Sequence, residues 1–201
     1  VYPYSIRKKD SLVYGFCAFS PNKGTLSITD YENAARLVRK LSDTCDVVIV
    51  SFHGGAEGED HQRITRETET YYGENRGNVY KFAHHVVDAG ADLVFGHRPH
   101  VTRAIELYRG RLICYSLGNF LTYGRFNLNG PSGIAPLVKA RLTSKGEFVN
   151  GEIIPVKQYY SGKLIVDPRR NAIKTLRELT KSDFPESELI INDNGFIQKK
   201  N

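Results

Sequence analysis

The sequence contains no methionine and no tryptophan, and only three of its 201 residues are cysteines. Because methionine is absent, we expect that Val1 is not a translational start and that the chain is a processed product or another part of a longer protein. The three cysteines are an odd number without CxxC spacing, which argues against a disulfide framework. Cys17 and Cys114 lie within apolar runs, so we expect buried free thiols there.

Long hydrophobic runs are also missing, so the sequence predicts no transmembrane segment. The basic residues are scattered and form no stripe interleaved with aromatic residues, which argues against specific nucleic-acid binding. The formal net charge of +6 favours acidic partners such as phosphate esters, anionic lipid or a polycarboxylate. A solvated basic surface is the simpler interpretation of the same charge.

Apolar runs alternate with helical periodicity over the first two thirds of the chain. The predicted strands cover 12–19, 46–52, 92–95 and 112–115. Helices are predicted between them: Asp30 caps one over 31–41, and Asn78 caps another that ends at Gly90. The alternation of strands and helices is the signature of an α/β fold.

The rest of the chain has a different pattern. The polar stretch 58–77 shows little periodicity and is predicted to be a long loop, of the kind that forms the wall or lid of an active site. The segments 134–142 and 148–156 predict an antiparallel hairpin, and a further helix is expected over 171–179. We predict a main part at 1–158 and a C-terminal helix and tail at 159–201 that pack on the same domain.

Histidines follow two of the predicted strands. His53 comes directly after the strand at 46–52, and His97 and His100 follow the strand at 92–95. Open α/β sheets place their ligands at the carboxyl ends of the strands, so neighbouring strands would bring these three imidazoles together. Neutral imidazole is the commonest protein ligand for transition metals. The sequence therefore predicts a metal site, with a single zinc ion and a two-metal centre both open.

Further polar residues lie close to these histidines along the chain or follow a strand end. Carboxylates bridge metal ions or act as general bases, and arginines clamp anionic substrates. The candidates are Glu57, Arg98 and Asn119 as catalytic groups, and Asn75, Arg76 and Arg103 as substrate-binding groups. An ordinary turn or surface role stays open for each of them.

Three motifs in this order and spacing resemble the CapA family of poly-γ-glutamate capsule biosynthesis proteins: HGGAE (53–57), GHRPHV (96–101) and YSLGNF (115–120). That family is similar to calcineurin-like metallophosphoesterases. The resemblance implies an α/β/β/α sandwich, of which this chain is the C-terminal half with a mixed sheet and an antiparallel hairpin.

The resemblance also implies a chemistry. His53 and His97 would serve one divalent ion (Mn, Fe or Zn) and His100 a second one, and metal-activated water would attack a phosphoester. The aspartate and asparagine ligands of the family belong to the half of the domain before Val1. The resemblance therefore implies that the site is incomplete in this chain alone, and that the upstream half or a second copy is a partner.

The alternative is a non-catalytic component of the capsule synthesis or export machinery that binds a polyanionic γ-glutamate chain. A mononuclear zinc site formed by the three histidines, with Glu57 as the general base, is a third hypothesis. In each case the resemblance implies a protein of the bacterial cell envelope, exported or held at the membrane by a segment upstream of this chain.

Overall fold

The computed structural model describes residues 3–122, 124, 126–159 and 162–200. In these residues the strands are, in chain order, β1 (Tyr4–Lys9), β2 (Leu12–Phe19), β3 (Val47–His53), β4 (Glu69–Tyr71), β5 (Glu74–Gly77), β6 (Leu93–His97), β7 (Ile105–Tyr108), β8 (Arg111–Cys114), β9 (Ile134–Leu142), β10 (Phe148–Gln158), β11 (Leu164–Val166), β12 (Leu189–Ile191) and β13 (Phe196–Lys199). The α-helices are α1 (Tyr31–Ser42), α2 (Val79–Asp88) and α3 (Asn171–Asp183). Short 3₁₀ turns cover Glu59–His61 and Gly130–Gly133.

A six-stranded sheet with the order β1-β2-β3-β6-β8-β7 forms the centre of the molecule. Its four inner strands run parallel to one another, and β1 and β7 pair antiparallel at the two edges. Strands β2 and β3 are nearly continuous apolar runs, but β2 is covered on one face only: Cys17 and Phe19 are buried, whereas Phe16 and Ala18 are exposed. Strands β3 and β6 are neighbours, which meets the condition under which the sequence would bring their histidines together.

Helices α1 and α2 pack side by side on one face of this sheet. The Asp30 side chain accepts a hydrogen bond from the backbone N–H of Asn33, and Asn78 accepts one from that of Lys81. Both predicted N-caps are therefore confirmed, since each satisfies an N–H group that has no partner within the helix. No α-helix in the described ranges has the length and apolar character to cross a membrane.

The second sheet is antiparallel and is built around β10. Strand β9 pairs along most of β10, whereas β13 pairs with residues 150–152 of it and β11 with residues 156–158. Strand β12 pairs with β13. A second core joins it to the opposite face of the large sheet: Leu112 and Cys114 from β8 meet Phe148 and Ile153 from β10, and Leu176 from α3. The predicted α/β class, with a mixed sheet and the 134–156 hairpin, is confirmed. The division of the chain at residue 158 stays a prediction.

Several elements differ from the sequence prediction. The stretch 58–77, predicted as a loop, contains the β4–β5 hairpin, whose turn places Tyr72 and Gly73 at φ of 49° and 75°. Asn-Gly is the usual signal for such a turn, and tyrosine gives none. Strands β1, β7, β11, β12 and β13 were not predicted either, because they are short or, like residues 7–9 of β1, charged edge segments.

Candidate functional site

His53 and His97 end two adjacent parallel strands and are paired in register. Strand β6 extends two residues beyond its predicted end, so His97 belongs to the strand and not to the following turn. Side chains in register on neighbouring strands share a face of the sheet and stand about 5 Å apart. A Cβ on Gly96 would lie 2.1 Å from the Tyr115 carbonyl oxygen, so glycine is required for this close approach.

The surroundings of both imidazoles favour the neutral form. Burial lowers the pKa of His53 below its ordinary value, and the neighbouring His100 and His97 lower it further. Desolvation lowers the pKa of His97 as well, next to an apolar cavity of about 300 Å³ that Phe95 and Phe120 also line. A neutral imidazole keeps one nitrogen lone pair, which is the form that binds metal ions.

His100, Arg98 and Glu57 lie together on the loops that follow β6 and β3. The His100 Nε2 atom lies 4.0 Å from Glu57 Oε2, and Arg98 Nε lies 3.1 Å from Glu57 Oε1. The backbone adopts positive φ at Arg98 (108°) and His100 (59°), a conformation that costs energy for residues with a side chain. The backbone N–H of Gly58 donates to the Pro99 carbonyl (3.0 Å), which ties the two loops to each other.

Asn119 also reaches this cluster, from the turn after β8. Its Oδ1 lies 2.8 Å from His100 Nδ1, and its Nδ2 donates to the carbonyl oxygens of His100 (3.1 Å) and Ser132 (3.0 Å). This contact places Asn119, a candidate catalytic residue from the sequence, beside one of the three histidines.

Arg76 and Asn75 differ in where their side chains lie. Arg76 is buried, pairs with Glu74 at 2.8 Å, and is close enough to His53 for its positive charge to lower that pKa further. The Asn75 side chain instead accepts a hydrogen bond from the backbone N–H of Gly77 (2.8 Å) and so supports the hairpin. Of the two, only Arg76 is retained in the site that we propose.

Arg103 has no exposed surface. Its Nη1 and Nη2 lie 2.8 and 2.7 Å from the two carboxylate oxygens of Glu69, and its Nε donates to the His61 carbonyl (2.7 Å). The carboxylate of Glu69 also accepts from the backbone N–H of Ala56. This pairing holds the loops around the site, and we leave Arg103 out of the substrate-binding set. Sequence reasoning missed Glu69, because one acid among many in a polar stretch carries no distinguishing signal.

His84 belongs to a separate network on α2. Its Nε2 lies 2.9 Å from one oxygen of the buried Glu106, and the Tyr115 hydroxyl donates to that same oxygen at 2.6 Å. The neighbouring His85 lies on the surface with one distant carboxylate, Glu32, at 3.8 Å. Neither histidine contributes to the cluster of His53, His97 and His100.

The donor chemistry of this cluster suits a divalent transition metal, since it offers neutral imidazoles beside a carboxylate. Within the ranges that the structure describes, however, no three His, Cys, Asp or Glu side chains form a group that could hold a metal ion. His53 and His97 share one face of the sheet, while His100 lies beside Glu57 on the adjoining loop. These side chains are of the type that binds metal ions, but the ones that the structure describes do not form a complete set of ligands.

Comparison with solved structures gives remote similarities. A hypothetical protein from Thermus thermophilus aligns over 83% of this chain and 62% of its own, with 17% identity and a TM-score of 0.45. A putative 5'-nucleotidase from Staphylococcus aureus aligns over 82% of this chain and 28% of its own, with 10% identity and a TM-score of 0.40.

Sequence comparison is more informative. The PGA biosynthesis protein CapA of Bacillus subtilis (strain 168) is 34% identical to this chain over 107 residues. The capsule biosynthesis protein CapA of Bacillus anthracis is 31% identical to it over 116 residues. These segments cover 53% and 56% of this chain but only 24% and 25% of the relatives. The family model of the bacterial capsule synthesis protein PGA_cap matches residues 7–123. Because this match covers more than half of the chain, the protein belongs to the bacterial capsule synthesis protein family PGA_cap.

Proposed function

We propose that this chain is part of a CapA-like protein for poly-γ-glutamate capsule biosynthesis, with a metal-dependent hydrolase site of the phosphoesterase type. The observation that carries the proposal is the in-register pair of His53 and His97, with His100 on the adjoining loop. Further ligands come from residues of the full-length protein outside this chain. We place that protein at the bacterial cell envelope.

His53, His97 and the Nε2 atom of His100 hold the metal in this proposal. When bound, a divalent ion (Mn, Fe or Zn), or a pair of such ions, would supply a water of lowered pKa and polarise the phosphoryl group. Glu57 accepts the proton of the attacking water, and Arg98 beside it stabilises the charge that develops on the phosphoryl oxygens. Arg76, on the His53 side, orients the anionic substrate.

The experiment uses the full-length protein with Mn²⁺ and a chromogenic phosphodiester. We expect His53→Ala and His100→Ala each to lower the rate about a hundredfold or more, since even residues that only support a metal ligand cost 10- to 100-fold. His85→Ala is the matched control, because it removes a surface imidazole outside the cluster, and it should keep the activity. The absence of turnover in the wild-type protein, or full activity in His100→Ala, would contradict the proposal.

A non-catalytic role in binding a polyanionic γ-glutamate chain is the second candidate. The net charge of +6 and the open set of metal donors favour it. Binding of poly-γ-glutamate to the full-length protein at equal strength in the wild type and His100→Ala, without turnover of the diester, would establish this alternative.

The chain alone allows a separate prediction on metal binding. Calorimetric titration of the isolated chain with Mn²⁺ or Zn²⁺ should show weak binding or none, because the imidazoles present do not form a closed ligand set. Tight stoichiometric binding of two ions by this chain would contradict the requirement for ligands from outside it.

A further inference from the structure

Asn119 contacts His100 through both its side chain and its backbone. The asparagine is 4% exposed, and each polar atom of its side chain has a partner. The contacts join three turns: the one after β6, which carries His100, the one after β8, and the one that contains Ser132 before β9. A buried side chain with this arrangement fixes the position of the imidazole beside it.

The orientation of the Asn119 amide is determined by its neighbours. Nδ2 faces two backbone carbonyl oxygens, those of His100 and Ser132, which can only accept hydrogen bonds. A flipped amide would bring Oδ1 against both carbonyls and leave three acceptors without a donor. Oδ1 must therefore face His100 Nδ1, and because Oδ1 accepts, Nδ1 carries the proton.

We propose that Asn119 is a positioning residue that sets the tautomer of His100 with the proton on Nδ1, so that Nε2 presents its lone pair to the site. The tautomer follows from the hydrogen bonds alone, whereas the use of Nε2 as a metal ligand rests on the proposed function. Metal-binding histidines commonly donate their second ring N–H to an oxygen acceptor, which fixes the ring and the tautomer. Here that acceptor is a neutral amide, so no further negative charge enters the cluster.

The backbone around Asn119 supports this role. His100 is held at a φ of 59°, and the Asn119 Nδ2 bond to its carbonyl helps to retain that strained conformation. Gly118 adopts a φ of 64°, and a Cβ there would lie 3.0 Å from the Ile134 carbonyl oxygen. The glycine therefore permits the turn that brings Asn119 beside the Nδ1 atom of His100.

The test is the ¹⁵N spectrum of the histidine rings in the metal-free chain at about pH 8.5, where an ordinary imidazole is neutral. Two-bond ¹H–¹⁵N correlations distinguish a protonated Nδ1 from a protonated Nε2. We expect His100, assigned by its loss in His100→Ala, to show a protonated Nδ1. A protonated Nε2 at His100 in the wild type would overturn the proposal without any variant.

Two substitutions and a control separate positioning from general stability. Asn119→Asp retains an oxygen that accepts from Nδ1–H and should keep the tautomer, at a cost in stability because its second oxygen faces the carbonyls of His100 and Ser132. Asn119→Ala should release His100 to a mixture of both forms. Asn129→Ala removes an exposed asparagine near Ser132 and should change nothing. A fully retained Nδ1–H form in folded Asn119→Ala would refute the proposal. If either variant does not fold, the wild-type spectrum alone decides, since a protonated Nε2 at His100 would overturn the proposal.

Zinc addition distinguishes this proposal from the proposed function. A Zn²⁺-induced shift at His100 Nε2 supports both, and a shift at Nδ1 overturns the assignment. A protonated Nδ1 that does not respond to Zn²⁺ in the full-length protein confirms the role of Asn119 in setting the tautomer and counts against the metal site.

Discussion

Burial controls the reactivity of individual thiols in this protein. Cys17 and Cys114 lie in the two hydrophobic cores, and burial raises the pKa of each thiol from 9.0 to about 12. Cys45 is only partly buried, at the end of the turn that follows α1. Because the thiolate is the nucleophile, the two core cysteines are both inaccessible and protonated at neutral pH.

We predict that iodoacetamide at about pH 8 modifies Cys45 in the folded chain and leaves Cys17 and Cys114 unmodified. Peptide mass spectrometry after quenching measures the three sites separately. In concentrated urea all three should react, which serves as the control for reagent and digestion. Modification of Cys114 at the rate of Cys45 under native conditions would show that the second core opens.

The same pKa shift predicts a loss of stability at alkaline pH. In the unfolded chain the Cys114 thiol ionises near 9.0, whereas in the folded chain it ionises at about 12, so the unfolded state loses its proton first. The stabilising effect is complete below pH 9 and is lost as the pH rises through about 12. Urea unfolding from pH 8 upward should show a smaller decline for Cys114→Ala than for the wild type. Parallel declines would contradict the assigned shift.

The residues of the candidate site were partly predictable from the sequence. The positions of His53 and His97 follow from the rule that ligands collect at the carboxyl ends of parallel strands, because both end apolar runs. The partner of Arg103 does not follow from any such rule. Glu69 lies 34 positions away in a polar stretch, and only the three-dimensional path of the β4–β5 hairpin brings it to the guanidinium.

The first turn of helix α2 is held by Asn78, whose side chain makes two hydrogen bonds. The Asn78 side chain accepts from the Lys81 N–H and donates to the Arg66 carbonyl (2.8 Å), so it joins the helix to the long polar stretch. We predict that Asn78→Ala lowers the free energy of unfolding by about 1 to 2 kcal/mol, as loss of an N-cap does elsewhere. Urea unfolding measures this cost.

Asn78→Ser provides the matched comparison, since serine is a good N-cap but cannot reach the Arg66 carbonyl as a donor in the same way. It should recover most of the loss. Equal destabilisation by alanine and serine would mean that the bond to Arg66, and not the cap, stabilises this end of the helix.

The sequence predicted the elements that bury enough apolar side chains to show a periodic pattern. It did not predict the short strands that exist only because they pair with a neighbouring strand. Strand β2 and the β9–β10 hairpin show their apolar faces in the sequence, and their bounds were close to the predicted ones. Strands β12 and β13 each have three or four residues and are defined by pairing with each other and with β10. Such short strands bury too few side chains for a pattern to emerge.

In the whole molecule, the two cores lie on opposite faces of the large sheet. The candidate site lies at the carboxyl ends of β3 and β6, where the loops that follow these two strands meet. The loops are joined by the buried Arg103–Glu69 pair. Arg103 contacts the loop after β3 at Ala56, the 3₁₀ turn at His61 and the hairpin at Glu69. One guanidinium thus ties three segments of the stretch 56–69 to the distant part of the chain that follows β6.

This arrangement predicts that substitutions of Arg103 and Glu69 have non-additive effects on the free energy of unfolding. Arg103→Met should lower the free energy of unfolding by about 3 to 5 kcal/mol, because Glu69 would keep a buried carboxylate without its cation. The double variant Arg103→Met with Glu69→Leu should recover much of that loss, since an apolar pair leaves no uncompensated charge. Lys139→Met breaks the exposed pair with Glu152 and should cost at most about 1 kcal/mol. Additive losses in the double-mutant cycle would mean that the backbone contacts of Arg103, and not its charge pairing, hold the three segments together.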